Sequence, residues 1–248
     1  FLERNLLALE RTHPKLAERL CWPLSTAHVH DYGDGRVDYK SHLSTLALDI
    51  PDQDLPPIDL SETPKEVFLF GAGLGEQLDA LLSDPYAPNR IHVWEDDPWL
   101  LRKTLERIDL RARLFSGQVV LYLGVDIAEH RDILRPLYRI KHPILQYLYT
   151  QTETFLDQTH DADICLMCDG GLFIEDCSVE LTDRGYQIYP WNSERLSAEE
   201  LEHIITVLSP KLLFAINYRI GFQELARLHT IPIVCWEIDP SLDAVPPA

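Results

Sequence analysis

Residues 66–75, which read Glu-Val-Phe-Leu-Phe-Gly-Ala-Gly-Leu-Gly, decide the fold class of this chain. The first five residues form a short apolar run of the kind found in buried parallel strands. Gly71, Gly73 and Gly75 then allow a tight turn into a helix that continues through Leu78–Leu82. A strand that leads through a glycine loop into a helix is the opening of a βαβ unit, so this stretch predicts an α/β fold.

The same alternation of short apolar strands and helices continues towards the end of the chain. We predict strands at 66–70, 90–94, 119–123, 164–168, 186–189, 212–216 and 233–236, and later helices at about 173–183, 197–208 and 221–228. Residues 127–158 are predicted to be helical and are rich in aromatic residues. The long stretch 124–162 favours two tandem Rossmann-like parallel-sheet units over one seven-stranded sheet.

The first 64 residues have a different pattern. Leucines at helical spacing predict a helix over 1–22 that Pro14 divides, and alternating residues around Gly33–Gly35 predict a β-hairpin within 25–50. Residues 51–64, with four prolines, are predicted to be a linker. We therefore expect a small helix and β-hairpin cap. The predicted domains are the cap (1–60), a Rossmann-like unit with the glycine loop (61–160) and a second Rossmann-like unit (161–248).

Composition narrows the class of protein. The chain has 248 residues, of which 46% are hydrophobic and 25% charged, which is enough to bury a core and excludes disorder. Its net charge of −18 would repel polyphosphates and anionic lipid, which excludes a broad nucleic-acid or membrane-binding face. No apolar run reaches the roughly 18 residues of a membrane span. Five scattered cysteines are interpreted as reduced thiols of a cytoplasmic protein.

The first candidate site is the glycine loop. Because ligands of open parallel sheets bind beyond the carboxyl ends of the strands, Gly71, Gly73 and Gly75 could approach a ligand closely. Glu95 ends the next strand and could bind two ribose hydroxyls. The third glycine comes one residue early for GxGxxG, which favours an S-adenosylmethionine site over a nicotinamide site. The alternative is that the glycines only make a turn and that Glu95–Asp97 cap the next helix.

The second candidate site lies at the carboxyl ends of the later strands. Several polar or glycine residues follow these strands, and together they predict a cleft, although Gly170 and Gly171 could also form only a tight turn. These residues are Asp169, Gly170, Gly171, Asn217, Arg219, Glu237 and Asp239.

Two possible metal sites receive little support from the pattern. Cys165 and Cys168 lie in a predicted strand and would point to opposite faces, which indicates core cysteines. His28 and His30 share one face of a strand, but no third ligand accompanies them. We therefore predict no metal.

Two parts of the chain resemble known glycosyltransferase families. Phe1–Leu6 with His13–Leu16, VFLFGAGLGEQLDALL (67–82) and IHVWEDDPWLLRKTL (91–105) resemble the N-terminal part of the motor accessory factor (Maf) family of flagellin glycosyltransferases. The later stretch resembles CgeB-like glycosyltransferases through ICLMCDGG (164–171), DRGYQIYPW (183–191) and SPKLLFAINYRIGFQELARLHTIPIVCWEIDP (209–240).

The resemblance implies a function. CgeB-like enzymes are similar to GT-B glycosyltransferases, in which a first Rossmann-like domain receives the acceptor and a second binds the nucleotide sugar. This chain would then be the acceptor-side region of such an enzyme, acting on a protein or a surface-polymer precursor, with the donor domain beyond residue 248. The family needs no metal, so no cofactor is expected.

The resemblance also suggests roles for the cleft residues. Asp169 would be the first candidate for the general base, with Glu237 and Asp239 as further acids. Gly170, Gly171, Asn217 and Arg219 would border the substrate.

Two other classes of function stay open. One is an S-adenosylmethionine-dependent methyltransferase, which would need an open pocket above Gly73 and an unpaired Glu95 carboxylate. The other is a non-catalytic interaction domain, in which residues 1–160 recognise a partner such as flagellin. Such an interaction domain should expose an apolar patch on its surface.

Overall fold

A computed structural model of the chain shows two compact units. The first consists of Phe1–Thr150 together with Arg195–Ser197, and the second of Gln151–Glu194 together with Ala198–Ala248. The residues described are 1–40, 44–50, 64–159, 163–167, 173–192, 195–216, 227 and 229–236.

The N-terminal cap contains the predicted helix and hairpin. Pro14 divides the helical stretch into α1 (Leu2–Thr12) and α2 (Pro14–Arg19), because its ring is favoured in the first turn of a new helix. An antiparallel sheet follows with the order β1–β2–β3, in which the third strand extends the predicted hairpin. Its strands are β1 (Val29–Asp31), β2 (Val37–Lys40) and β3 (Thr45–Ala47).

A four-stranded parallel sheet forms the centre of the first unit. Its order is β6–β5–β4–β7, which is the 3-2-1-4 order of a Rossmann half. The strands are β4 (Glu66–Phe70), β5 (Arg90–Glu95), β6 (Val119–Leu123) and β7 (Tyr138–Lys141).

Strand β7 corrects the prediction of a helical stretch over 127–158. The strand reads Tyr-Arg-Ile-Lys and lies at the edge of the sheet, where only Ile140 is buried. An edge strand needs no continuous apolar run, so its sequence does not show the pattern that revealed the other strands.

Short helices surround this sheet and connect its strands. They are α3 (Glu76–Ser83), α4 (Pro98–Arg107), α5 (Arg111–Ser116), α6 (Asp126–Glu129) and α7 (Arg131–Leu134), followed by a 3₁₀ turn (Leu145–Tyr147). The helix α8 (Thr150–Asp157) leads into the second unit.

The cap and the first parallel sheet share one hydrophobic core. Leu9 and Leu20 of the cap are fully buried in the same cluster as Leu69 and Val93 of the sheet. The buried amide of Asn5 adds polar contacts: its Nδ2 donates to the carbonyl oxygens of Leu105 (2.8 Å) and Ile108 (2.7 Å), and its Oδ1 accepts from the Leu110 backbone N–H (2.9 Å). The cap is therefore an integral part of the first unit.

The second unit is also built on a four-stranded parallel sheet. Its order, β11–β10–β8–β9, is the second common order of doubly wound sheets. Its elements are β8 (Ile164–Met167), α9 (Ile174–Asp183), β9 (Ile188–Trp191), α10 (Ala198–Leu208), β10 (Leu212–Ile216) and β11 (Ile233–Trp236). The predicted helix 221–228 lies outside the described residues except for Arg227.

Strand β9 begins two residues later than predicted, for a local reason. The backbone N–H of Tyr186 donates to the carbonyl of Leu181 and that of Gly185 to Thr182, with Gly185 at φ +86°. These contacts form a Schellman cap, so Tyr186 belongs to the end of α9. The predicted class is confirmed: the protein is α/β, with two tandem Rossmann-like sheets behind a helix and hairpin cap.

Candidate functional site

The glycine loop lies where the strand order of the first sheet reverses. Strands β5 and β6 follow β4 on one side, and β7 joins β4 on the other, so the switch point is at the carboxyl ends of β4 and β7. Open α/β sheets bind their ligands in the crevice at this point. Gly71, Gly73 and Gly75 all have positive φ values, of 89°, 57° and 97°, as a tight turn requires.

The Glu95 carboxylate occupies the polar side of this crevice. Its Oε2 accepts from the backbone N–H groups of Ala72 (2.8 Å) and Gly73 (3.0 Å). Its Oε1 accepts from those of Asp96 (2.9 Å) and Asp97 (3.2 Å), and the Tyr149 hydroxyl donates to the same oxygen. The residue is fully buried. Its carboxylate therefore takes the loop N–H groups that a bound anion would otherwise use.

Burial sets the protonation of Glu95. Removal from water raises the pKa of this carboxyl to about 7, although the hydrogen bonds from Tyr149 and from Gly73 act in the opposite direction.

The His142 imidazole fills the apolar side of the crevice. A Cβ built on Gly73 would overlap Nε2 of His142 and lie 2.6 Å from its Cδ2, and a Cβ on Gly71 would lie 3.0 Å from the His142 Cβ. His142 Nδ1 accepts from the backbone N–H groups of Ile144 (3.2 Å) and Leu145 (3.1 Å), which places the proton on Nε2. Burial lowers the pKa of His142 to about 4, so the ring is neutral near pH 7.

These contacts bear on the methyltransferase hypothesis. It required an unpaired Glu95 carboxylate and an open pocket above Gly73. Within residues 64–159, the carboxylate accepts five hydrogen bonds and His142 packs against Gly73. Neither requirement is met in this arrangement.

Asp97 extends the buried polar cluster and caps the next helix. Its Oδ1 accepts from the Trp99 backbone N–H (2.8 Å) at the N-terminus of α4. Its Oδ2 accepts from the Tyr39 hydroxyl (3.0 Å) and lies 2.6 Å from Nε2 of His28. His28 is thus engaged by a helix-capping carboxylate.

Sequence reasoning missed most of the side chains in this cluster. Four residues of the cluster were not among the predicted site residues: Tyr39, His142, Tyr149 and Arg195. The Arg195 guanidinium lies 5.1 Å from the centroid of the Tyr39 ring. No local motif marks these four residues, because they come from separate parts of the chain. The Glu95-Asp96-Asp97 run was interpreted as a possible cap of the next helix, and Asp97 has that role at the N-terminus of α4.

The predicted cleft of the second unit lies at the switch point of its own sheet. The order of strands reverses between β8 and β10, and all four strands are parallel, so their carboxyl ends share one edge. In sequence, the predicted residues directly follow β8, β10 and β11. All of them lie outside the described residues: Asp169, Gly170, Gly171, Asn217, Arg219, Glu237 and Asp239.

The described residues offer no metal site and no membrane span. No group of three or more potential metal ligands occurs among them. Cys165 is fully buried, as expected of a core cysteine, and burial raises the pKa of its thiol; Cys168 lies outside the described residues. None of the helices described is both long enough and apolar enough to cross a bilayer.

Comparison with known proteins gives one structural similarity. No protein-family model matches the chain, and no curated protein sequence matches it. The chain is similar to the solved structure of the MAf glycosyltransferase from Magnetospirillum magneticum AMB-1, with a TM-score of 0.42 and 13% sequence identity. The similarity covers 97% of this chain and 56% of that protein, so the chain spans little more than half of its length.

Proposed function

We propose that this chain is the acceptor-side region of a cytoplasmic glycosyltransferase that transfers a sugar from a nucleotide sugar to a protein or a surface-polymer precursor. The observation that carries the proposal is the switch point between β8 and β10. Crevices at such points bind ligands, and in the sequence Asp169-Gly170-Gly171 come after β8 and Asn217 and Arg219 come after β10. The sequence resemblance to Maf and CgeB-like enzymes supports the same function.

The proposed chemistry is a direct displacement at the sugar. The oxygen of an acceptor hydroxyl attacks the anomeric carbon while the bond from that carbon to the diphosphate oxygen breaks. Asp169 accepts the hydroxyl proton as general base, with Glu237 or Asp239 as the alternative acids. Helix N-termini and basic side chains stabilise the departing nucleoside diphosphate, without a metal. The resemblance assigns the nucleotide sugar to a further domain outside these 248 residues.

The filled crevice of the first unit favours this function over methyl transfer. An S-adenosylmethionine site at the glycine loop would have to displace His142 and compete with Glu95 for the N–H groups of Ala72 and Gly73. Burial of Glu95 makes that exchange costly, because its carboxylate would lose two of its five donors in a site without water to replace them. The first unit therefore fits a structural or recognition role.

The test is transfer by the complete natural protein. UDP-, GDP- and CMP-activated sugars are offered with flagellin as a protein acceptor, and nucleotide release and the acceptor's mass gain are followed. Asp169→Asn is expected to lower turnover by roughly 10²- to 10⁴-fold, the usual contribution of a general base, while circular dichroism stays unchanged. Glu175→Gln, an exposed acid in the first turn of α9, serves as the matched control.

Two outcomes would contradict the proposal. Turnover by Asp169→Asn at the rate of the Glu175→Gln control would exclude Asp169 as the base. Micromolar binding of S-adenosylmethionine that is lost in Glu95→Ala would instead assign the protein to the methyltransferases.

A further inference from the structure

One segment of the first unit comes from a distant part of the sequence. Residues 195–197 belong to the same compact unit as Phe1–Thr150, whereas the residues before and after them belong to the second unit. They lie between β9 and α10 and are part of no helix or strand. Side chains, rather than the hydrogen bonds of regular secondary structure, therefore hold this segment on the first unit.

Arg195 is the buried residue of the segment. It is 7% exposed, whereas Leu196 and Ser197 are half-buried and Ala198, which begins α10, is exposed. The Arg195 guanidinium lies 5.1 Å from the centroid of the Tyr39 ring, which is a cation–π contact with a fully buried residue of β2. The segment is therefore attached to the first unit through the side chain of Arg195.

The acidic groups of the first unit balance the charge of this side chain. Burial disfavours a charged guanidinium, but interactions with Tyr39, Tyr149, Asp96 and Asp97 raise the pKa of Arg195 above its ordinary value. A buried cation without such neighbours would be costly. Charge therefore adds to the ring contact in holding Arg195 in place.

The two buried carboxylates take their hydrogen bonds from other donors. Asp97 accepts from the Trp99 backbone N–H and from the Tyr39 hydroxyl, and the five donors of Glu95 are the backbone and tyrosine groups described above. In the described part of the chain, Arg195 thus donates to neither carboxylate. Withdrawal of Arg195 would leave these hydrogen bonds in place, so it does not require the unit to unfold.

We propose that residues 195–197 form an ionic strap, which Arg195 holds on the first unit and which opens while that unit stays folded. The strap is closed when the guanidinium lies against Tyr39 and open when the guanidinium is in water. Local openings of this kind need less free energy than global unfolding. The inference concerns a conformational element and does not rest on the proposed sugar transfer.

The test uses trypsin, which cleaves after arginine and lysine and needs an accessible side chain. The full chain is treated under native conditions at several low urea concentrations, and mass spectrometry gives the initial rate of cleavage between Arg195 and Leu196. A synthetic peptide of residues 189–200 gives the rate for the unprotected bond. We expect cleavage of the protein to be at least about tenfold slower, with a urea dependence much shallower than that of global unfolding.

A lysine in place of Arg195 tests the anchor without removing the cleavage site. Arg195→Lys keeps the charge but loses the flat guanidinium that lies on the ring, so cleavage at this position should become roughly fivefold faster or more. Arg184→Lys is the matched control, because the Arg184 side chain is 67% exposed. Its cleavage should not become faster, since trypsin prefers arginine to lysine.

Two substitutions at Tyr39 identify the group that holds the strap. Tyr39→Leu removes the ring and should raise cleavage after Arg195 roughly tenfold. Tyr39→Phe keeps the ring and removes only the hydroxyl that donates to Asp97, so its cleavage should stay close to that of the unaltered protein.

Hydrogen exchange of the unaltered protein covers the case in which Tyr39→Leu does not fold. The amides of Leu196 and Ser197 should exchange faster than those of β2, with a shallower dependence on urea. Three results would overturn the proposal. They are a urea dependence of cleavage equal to that of global unfolding, no acceleration in Arg195→Lys, and cleavage of the unaltered protein at the rate of the peptide.

Discussion

The two parallel sheets of this protein differ in how deeply the residues of their strands are buried. In the first sheet, every residue of β4 and β5 except Glu66 and Arg90 is buried, and the switch-point crevice is filled by Glu95, His142 and Tyr149. In the second sheet, β11 exposes Val234 and Trp236 on one face. Both sheets have switch points: side chains of the chain itself occupy that of the first sheet, and the residues that follow β8 and β10 at that of the second lie outside the described part of the chain.

In the first sheet, the glycine loop at the switch point contacts groups of its own chain. The three glycines of the first loop have the positive φ values that a ligand-binding turn would also need. Here the backbone N–H groups donate to a carboxylate of the same chain. The first unit therefore gains stability from backbone N–H groups that a ligand-binding loop would leave available to its ligand. The following predictions test this comparison.

Replacement of Gly73 should have the largest effect. A Cβ at this position would overlap His142 Nε2 and would have to adopt φ +57°. Overpacking and a left-handed backbone together cost about 3 kcal/mol or more for Gly73→Ala. Urea unfolding measures this loss. Gly117→Ala, at φ +72° with nothing within 4 Å of its Cβ, is the control and should lose only about 1 kcal/mol. Equal losses would show that His142 does not fill the crevice.

The pH dependence of stability should report on Glu95. Its pKa is about 7 in the folded protein against an ordinary value of 4.5, so its contribution is full below pH 4.5 and is lost as the pH rises through 7. The stability of the unaltered protein, measured relative to Glu95→Gln, should therefore fall by up to about 3 kcal/mol between pH 4.5 and 8. Urea unfolding of both proteins across this range gives the difference. A difference that grows with pH would mean that the five donors outweigh burial.

Two valines compare a buried strand of the first sheet with the exposed residues of β11 directly. Val93, on β5, is fully buried, and Val234, on β11, is 44% exposed. Val93→Ala should cost about 2–3 kcal/mol, because it removes buried methyl groups and leaves a cavity. Val234→Ala should cost about 0.5 kcal/mol, since its side chain already contacts water. Thermal and urea unfolding of both variants would decide, and similar losses would indicate that the β11 face is covered in solution.

The smallest effect is expected in a titration with S-adenosylmethionine, in which no heat of binding should be measured. Calorimetry of the unaltered protein with this compound is expected to show no binding up to millimolar concentration, because His142 and Glu95 occupy the crevice. The variant His142→Ala, which opens the space above Gly73, is titrated in parallel for comparison. Binding by the unaltered protein would contradict the conclusion that side chains of the chain itself fill the crevice of the first unit.

Much of the fold could be predicted from local patterns, and the failures have physical causes. The strands 66–70, 119–123, 212–216 and 233–236 were placed correctly, because each is a short apolar run in the sequence. Strand β7 was missed because an edge strand buries only Ile140. Strand β9 was shifted because Gly185 closes α9 with a Schellman cap that extends its end to Tyr186.

The candidate site was less predictable than the fold. The glycine loop and Glu95 were correctly located at the carboxyl ends of their strands, but their partners could not be identified. His142 and Tyr149 approach the loop from positions about 70 residues later in the sequence. No spacing rule relates residues so far apart, because only the pairing of β7 with β4 brings them together.

The amino-acid sequence by itself determined the α/β class, most of the strands and the positions of the turns, because these depend on apolar runs and glycines that act over a few residues. The tertiary structure decided which groups the glycine loop binds and which sheet face stays exposed. These depend on the order of strands and the direction of their connections, which bring the distant side chains of His142 and Glu95 to the same glycine loop and leave Val234 and Trp236 exposed.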